Sequence, residues 1–411
     1  MKKTAVVMLL LISFFSYLRA ENISQCLPII EKIVSNSPAV KKADENFNRQ
    51  KMLSWAAIGN MLPAVSLRHN RYYLAGRDNI EDNGWDTYLN ARMVLFSGLS
   101  RINYYLAGTS MEASFEKSAQ YSRMLAEEEA ISVYFEGASL AMETENYSAS
   151  YNLMEKRLKE LKRRETIGKA RKSEVASSEV RYYSLNAQLI QYENSLHKIK
   201  DEISLMAGAE AEEFILPQCI NIQISNFDAD SAAENNPLIQ SQKEKFNYAQ
   251  RSAWAQAGSF LPVVSLSASH KLGEDNYRYT GPSVSLFAEW SIFEGGARIA
   301  QTAAAVSAAK AAEQDYEDAK RFMKLKISGI FNDYQASLKR KEVLKLAYEA
   351  AEKSAKEQEK DYYLGNVSNL EVLQAMMDVT DSKRAYDRES AMLLKYSMLL
   401  DLYTKGAVEK E

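Results

Sequence analysis

Two segments of the sequence alternate strictly between apolar and polar side chains. The first runs from Trp85 to Phe96. One face of this segment would carry Trp85, Thr87, Leu89, Ala91, Met93 and Leu95, and the other Asp86, Tyr88, Asn90 and Arg92. Such alternation predicts a strand with one apolar and one polar face. Weaker alternation from Val65 to Tyr73, followed by the polar segment 76–84, completes a predicted β-hairpin over about 62–96.

The second segment predicts another hairpin, over about 261–293. Its apolar positions are Val264, Leu266, Ala268, Leu272, Val284, Leu286, Ala288, Trp290 and Ile292. Strands of about 10 to 12 residues can cross a bilayer at a tilt. Four strands cannot enclose a pore, because small closed barrels need about eight, so several copies would have to pool their strands. The alternative is a pair of soluble hairpins packed on a helical body.

Each hairpin is followed by a helical region of unusual length. Residues 101–166 and 297–363 contain no proline and carry apolar residues at helical spacing. At about 1.5 Å per residue, helices of this length extend for roughly 100 Å and would lie alongside other helices in coiled-coil fashion. Gly168 and Gly365 then interrupt the pattern, and shorter helical runs return over about 173–206 and 369–403. Each region therefore predicts a long helical hairpin with a glycine at its tip.

The same order of elements occurs twice in the sequence. Motifs of the first copy recur roughly 200 positions later, which indicates a duplicated unit. The recurring motifs are Asn-x-Pro or Asn-Pro near the start of each copy, Leu62-Pro63 and Leu261-Pro262 before the strands, and Phe96-Ser97-Gly98 and Phe293-Glu294-Gly295 after them. The predicted organisation is a signal peptide (1–20), a first repeat (21–208), a linker (209–235), a second repeat (236–406) and a C-terminal tail (407–411).

The first residues and the overall charge bear on location and chemistry. Lys2 and Lys3, an apolar run and Ala20 are typical of a cleaved export signal, the alternative being an uncleaved membrane anchor. The net charge of −3 gives no general attraction to nucleic acid. Three scattered histidines, with no phosphate-binding loop or zinc motif, predict no catalytic residue, metal site or cofactor, so we do not expect an enzyme.

In their order and their repetition these motifs resemble the outer membrane efflux proteins, the TolC-like family, over nearly all of the mature chain. The tip pattern Leu364-Gly365-x5-Glu371-Val372 adds to the likeness. The resemblance implies a mainly α fold with a small β part. In that fold, three chains would form a 12-stranded β-barrel in the outer membrane, continued by a 12-helix α-barrel in the periplasm.

The resemblance also implies a function and a set of partners. The homotrimer would be the exit duct of a tripartite efflux pump or a type I secretion system. It would contact outer membrane lipid, a periplasmic adaptor (membrane fusion) protein and, through it, an inner-membrane transporter of the RND or ABC type, with no nucleic acid involved. The alternative is a soluble periplasmic coiled-coil structural or adaptor protein, which would have no reason to expose continuous apolar rows on its strands.

The tip residues are the candidate functional residues that the resemblance implies. Tyr362, Glu371 and Gln374 occupy positions of the family's gate and constriction, although the family often has an acidic residue where Gln374 stands. For Glu371 the alternative is an ordinary residue in the first turn of a helix, where the helix dipole favours a negative charge. The candidate adaptor-docking residues are Arg164, Gly168, Lys169, Leu364 and Gly365, and solvated helix-end charge is the alternative for the basic ones.

Two cysteines complete the candidate features. An exported chain whose only cysteines are Cys26 and Cys219 invites a disulfide between them. Each precedes one copy of the repeat, but sequence spacing does not establish that they lie close together.

Overall fold

The computed structural model describes residues 27–75, 80–210, 214, 216, 229–274 and 281–408. The expected signal peptide, Cys26, Cys219 and most of the linker lie outside these residues, so the cleavage and the disulfide stay predictions. The helices of the described part are α1 (Pro28–Asn36), α2 (Pro38–Gly59), α3 (Ser100–Thr166), α4 (Lys172–Ala207), α5 (Ala229–Glu234), α6 (Pro237–Ala257), α7 (Ala297–Leu364) and α8 (Asn369–Val408). The strands are β1 (Ala64–Ala75), β2 (Ile80–Ser97), β3 (Val263–Glu274) and β4 (Ser283–Glu289).

The described elements confirm the predicted fold class, which is mainly α with a small β part. Two strands and then a long helical hairpin follow each group of shorter helices. The helical region before β1 is divided into α1 and α2 at Ser37. Ser37 adopts an extended conformation with φ −57° and ψ 123°, because a following proline disfavours the helical region.

The four strands form one antiparallel sheet in the order β1-β2-β3-β4. The prediction that the last strand continues to Ile292 is wrong, since β4 ends at Glu289. Glu289 pairs with Val263, the first residue of β3, so the residues after Glu289 have no strand beside them. Trp290 instead donates its indole N–H to the carbonyl oxygen of Phe260, at 3.0 Å.

The other described residues leave the apolar face of this sheet exposed, and neither edge strand pairs with a further strand. Leu67 and Leu286, on the apolar face, are 65% and 66% exposed. Strands β1 and β4 each have a single hydrogen-bonded neighbour in the described part of the chain. The sheet therefore has two open edges and an exposed apolar surface.

The chain divides into two compact units, each with its own packing. One unit takes the described residues of Met1–Lys41, Ser122–Asn235 and Met323–Glu411, and its core includes Phe135, Met323 and Leu400. The other takes Lys42–Tyr121 and Asn236–Phe322 and contains the sheet. There, α3 and α6 approach closely enough for Ser114 Oγ to donate to the carbonyl oxygen of Ser241, at 2.9 Å. No helix among the described residues is long and apolar enough to cross a membrane.

Gly98, in the Phe-x-Gly motif that follows β2, lies against the backbone at the end of α6. Its φ is +62°, and a Cβ at this position would lie 2.0 Å from the carbonyl oxygen of Gly258. Gly168 has a similar φ of +71° but open space where a Cβ would be. Gly98 is thus required both by its left-handed conformation and by a close backbone contact beside the sheet. Gly168 is required only by its left-handed conformation.

This difference gives a matched pair of substitutions. Gly168→Ala should lower the free energy of unfolding by about 1–2 kcal/mol, the cost of a left-handed conformation for a residue with a Cβ. Gly98→Ala adds a steric clash worth a further 1–3 kcal/mol or so. We expect a clearly larger fall in apparent melting temperature for Gly98→Ala, measured by circular dichroism of the detergent-solubilised protein. Equal falls would contradict the close contact.

Candidate functional site

Both helical hairpins turn through the same hydrogen-bonded cap. At the first tip, the N–H groups of Lys169 and Gly168 donate to the carbonyl oxygens of Arg164 and Glu165, at 2.8 and 2.9 Å. At the second tip, Asn366 and Gly365 donate to Asp361 and Tyr362, at 2.9 and 3.1 Å. Gly168 and Gly365 have φ values of +71° and +80°. This is the Schellman arrangement, in which a left-handed glycine satisfies the last helical carbonyls.

The helices that return from the tips begin with acidic caps. The Glu174 carboxylate accepts the backbone N–H of Arg171, at 3.1 Å. In the second hairpin, Glu371 Oε2 accepts from the backbone N–H and the hydroxyl of Ser368, at 2.6 and 2.9 Å. These hydrogen bonds, the backbone one first, lower the pKa of Glu371. Glu371 therefore stays charged to lower pH than an ordinary glutamate.

Arg157 joins the two hairpins near their tips. Its Nε and Nη2 donate to Oδ1 of Asn369, at 3.1 and 2.9 Å. Asn369 in turn donates its amide N–H to Ser178 Oγ, at 3.0 Å. Arg157, Ser178 and Asn369 belong to α3, α4 and α8, so one buried chain of hydrogen bonds connects three helices.

Tyr362 adds the fourth helix, α7, to this group. The Arg157 guanidinium lies 5.0 Å from the centre of the Tyr362 ring, within the range of a cation–π interaction. The ring also packs against an apolar cluster formed by Leu158, Leu161 and Val175. Arg157, Ser178, Tyr362 and Asn369 are named here the tip cluster.

The tip cluster buries a positive charge among neutral groups. Arg157 is 8% exposed and Asn369 is 1% exposed. Arg157 has no carboxylate partner among the described residues, so an amide oxygen and an aromatic ring compensate its charge. Such burial is costly unless the remaining hydrogen bonds are kept. The cluster should therefore depend strongly on Asn369.

The structure brings some of the candidate site residues together and separates others. Tyr362 lies in the tip cluster, and Arg164 lies 5.7 Å from its ring centre. Gly168, Lys169, Leu364 and Gly365 form the exposed turns. Glu371 and Gln374 bond within α8 and its cap, Gln374 donating to Asp378 at 2.9 Å. No group of three or more potential metal ligands occurs among the described residues.

Arg157 and Asn369 were not among the residues predicted from the sequence. A weak signal was present, because Arg157 falls between Met154 and Leu161 at the spacing of the buried stripe of α3. A basic residue within such a stripe indicates a buried polar contact. The sequence gives no indication of which partner it would have.

Residues 229–390 match the family model described as outer membrane efflux protein. No curated protein matches the sequence. Among solved structures, the outer membrane protein VceC of Vibrio cholerae is 17% identical with a TM-score of 0.82, over 93% of this chain and 96% of that one. CusC is 14% identical with a TM-score of 0.83, over 93% and 92%.

A third structure agrees with these two. The open state of the MtrE outer membrane channel of Neisseria gonorrhoeae is 14% identical with a TM-score of 0.81, over 93% of this chain and 88% of that one. At such identities the likeness concerns the fold. Together with the family match, it confirms the predicted resemblance to the outer membrane efflux proteins and the expected outer membrane location with a periplasmic helical extension. The matched family model is that of outer membrane efflux proteins, and the MtrE structure is that of a channel.

The tip cluster predicts that Asn369→Ala weakens the connection between the hairpins. Hydrogen bonds to a charged group are worth about 1.5–3 kcal/mol, and the substitution leaves the buried guanidinium without its acceptor. We expect faster amide hydrogen exchange in peptides covering residues 154–180 and 369–376. Asn366→Ala, at an exposed position beside the second turn, is the control and should leave this exchange unchanged. Equal exchange in the two variants would contradict the role of Asn369.

Glu371 predicts a pH-dependent contribution to the start of α8. The pKa of Glu371 is lowered in the folded state, so the charged carboxylate stabilises the helix at pH values above the ordinary glutamate pKa of 4.5. That stability is lost as the pH falls through the lowered pKa. Wild type should therefore melt at a higher temperature than Glu371→Gln at neutral pH, and the difference should shrink below about pH 4.5. A difference independent of pH would exclude a contribution from the carboxylate charge.

Proposed function

We propose that the chain forms a homotrimeric outer membrane channel that serves as the exit duct of a tripartite efflux pump or a type I secretion system. Substrates would reach it from a periplasmic adaptor protein and an inner-membrane transporter of the RND or ABC type. The match to outer membrane efflux proteins and the likeness to solved channels support the proposal.

The observation that carries the proposal is the open sheet. Strands β1 and β4 each have one free edge, and a free edge presents unpaired backbone groups that bind another strand. Lipid offers no hydrogen bonds to such groups, so a sheet in a membrane has to close on itself. Four strands are too few to do so, and three copies would supply twelve. In the closed arrangement β1 of one copy would pair with β4 of the next.

The exposed apolar side chains agree with this arrangement. Leu67, Leu89 and Leu286 share the apolar face of the sheet and would contact lipid, while the polar face would line the pore. Large apolar residues are also exposed on the helices of the other unit, among them Val180, Leu325 and Val343. Helices of neighbouring copies would cover these residues.

The tips would hold the gate and the adaptor-docking surface. The tip cluster connects all four helices of the two hairpins, so parting the hairpins would break the contacts of Arg157 with Asn369 and Tyr362. Glu371 would contribute one carboxylate per copy to a ring at the constriction, with Gln374 one turn further along α8. The exposed residues Gly168, Lys169, Leu364 and Gly365 at the turns, and the half-buried Arg164 at the end of α3, would contact the adaptor.

Two neighbouring positions on β4 test the channel. Leu286 lies on the apolar face, and Ser285 lies on the polar face. An arginine in contact with the bilayer midplane costs about 2–4 kcal/mol, whereas one facing a pore is tolerated. We therefore expect Leu286→Arg to reduce the trimer recovered from the outer membrane fraction, and Ser285→Arg to leave it near the wild-type level.

The outcome of fractionation distinguishes the channel from its alternative. Wild-type protein extracted by detergent as a trimer from the outer membrane, and restoring export in a deletion strain, would support the duct. Recovery of wild type as a soluble monomer after osmotic shock would favour a periplasmic coiled-coil or adaptor protein instead. Equal sensitivity of the trimer to both arginine substitutions would contradict the assignment of the two faces.

A further inference from the structure

The polar face of the sheet carries basic residues in register across the strands. Arg68 on β1 pairs with Tyr88 on β2, and Tyr88 pairs with Lys271 on β3. Lys271 Nζ lies 5.7 Å from the centre of the Tyr88 ring, which places both side chains on the same face. Arg68, as the register partner of Tyr88, belongs to that face and is exposed.

A second basic position lies further along the same face. Arg92 follows Tyr88 by four residues on β2, which corresponds to about 13 Å along a strand. Arg92 pairs with Ala64 and Ser267 and is exposed. Between the two basic levels the face carries only Ser66, Asn90, Ser269 and Ser283. This section of the described sheet thus contains cations and neutral hydroxyl or amide groups.

The carboxylates on this face lie outside that section. Asp86 precedes the Arg68 level by two residues and accepts hydrogen bonds from Asn70 Nδ2, at 2.9 Å, and the Tyr72 hydroxyl, at 3.0 Å. It is also buried, so neighbouring side chains already occupy its oxygens. Glu289 lies at the other end of the sheet, paired with Val263. Glu274 on β3 is the register partner of Asp86 and lies at the same level, beyond Arg68. None of the three carboxylates is placed between Arg68 and Arg92.

We infer that the strand section of the pore prefers anions and that Arg68 and Arg92 set this preference. The inference rests on the proposed function, because the polar face becomes a pore lining only when copies close the sheet. In a trimer each arginine would be present three times, forming two rings of positive charge on the inner wall of the barrel. Such rings raise the local concentration of anions and lower that of cations. The solutes favoured are small inorganic anions and cargo with carboxylate, sulfate or phosphate groups.

The test is the reversal potential of the reconstituted trimer in a planar bilayer under a potassium chloride gradient. It is measured in the wild-type background and in an Arg157→Ala background, so that closed tips do not conceal the strand section. In the opened background we expect chloride to permeate better than potassium. The double variant Arg68→Gln with Arg92→Gln should lower the chloride-to-potassium permeability ratio at least about twofold.

Two controls separate charge from structure. Replacing both arginines with lysine keeps the charge and should preserve the ratio. Arg71 lies on the same strand but pairs with Trp85 on the apolar face, so Arg71→Gln should also preserve it. An unchanged ratio in the double glutamine variant would overturn the inference while leaving the channel established. Absence of any conductance in both backgrounds would contradict the proposed function and the inference with it.

Discussion

The backbone groups at the two edges of the sheet impose the constraint on which the rest of the structure depends. Every backbone N–H and C=O removed from water needs a hydrogen-bond partner. Within the described residues, β1 and β4 leave one edge each without a partner. The two free edges belong to opposite sides of the sheet. The edge strand β1 of one copy can therefore form hydrogen bonds with β4 of a neighbouring copy, and its own β4 can pair with the copy on the other side. Such head-to-tail contacts close into a ring when the rotation between copies permits it.

The helices have a related requirement, which is that their apolar side chains be covered. The long helices of the described chain bury one stripe in their own unit, including Met323 and Ile327 of α7. Other apolar residues of the same helix, such as Leu325 and Val343, stay exposed. A helix with apolar residues on more than one side needs more than one helical neighbour. The strands thus lack hydrogen-bond partners at the edges of the sheet, and the helices lack neighbours over part of their apolar surface. Association of copies would supply both.

Local patterns in the sequence predicted much of this fold. Alternation identified all four strands, and helical spacing placed the long helices to within about one residue of their observed limits, within the accuracy of such boundaries. The glycines at 168 and 365 marked the tips because left-handed conformations favour glycine. The end of β4 could not be predicted, since it depends on where β3 begins and not on the alternation that continues to Ile292.

The tip cluster was beyond sequence reasoning for a different reason. Arg157 and Asn369 are 212 positions apart, and neither belongs to a motif that indicates the other. Tyr362 was identified only through the family resemblance, and its contact with Arg157 was not foreseen. Local periodicity predicts which face of a helix is buried, but contacts between distant helices follow from packing, which a single sequence does not display.

The chemistry of the tip cluster suits a contact that has to be broken and remade. A carboxylate beside Arg157 would give a buried ion pair, and separating such a pair leaves two buried charges to be hydrated. Here a neutral amide accepts both guanidinium hydrogen bonds, at 3.1 and 2.9 Å, so separation exposes a single charge that water solvates well. In the closed arrangement the guanidinium still donates two hydrogen bonds to one oxygen. Hydrogen bonds to charged groups contribute about 1.5–3 kcal/mol to stability. In the proposed channel, a modest differential affinity of an adaptor for the open tips would then suffice to shift the equilibrium.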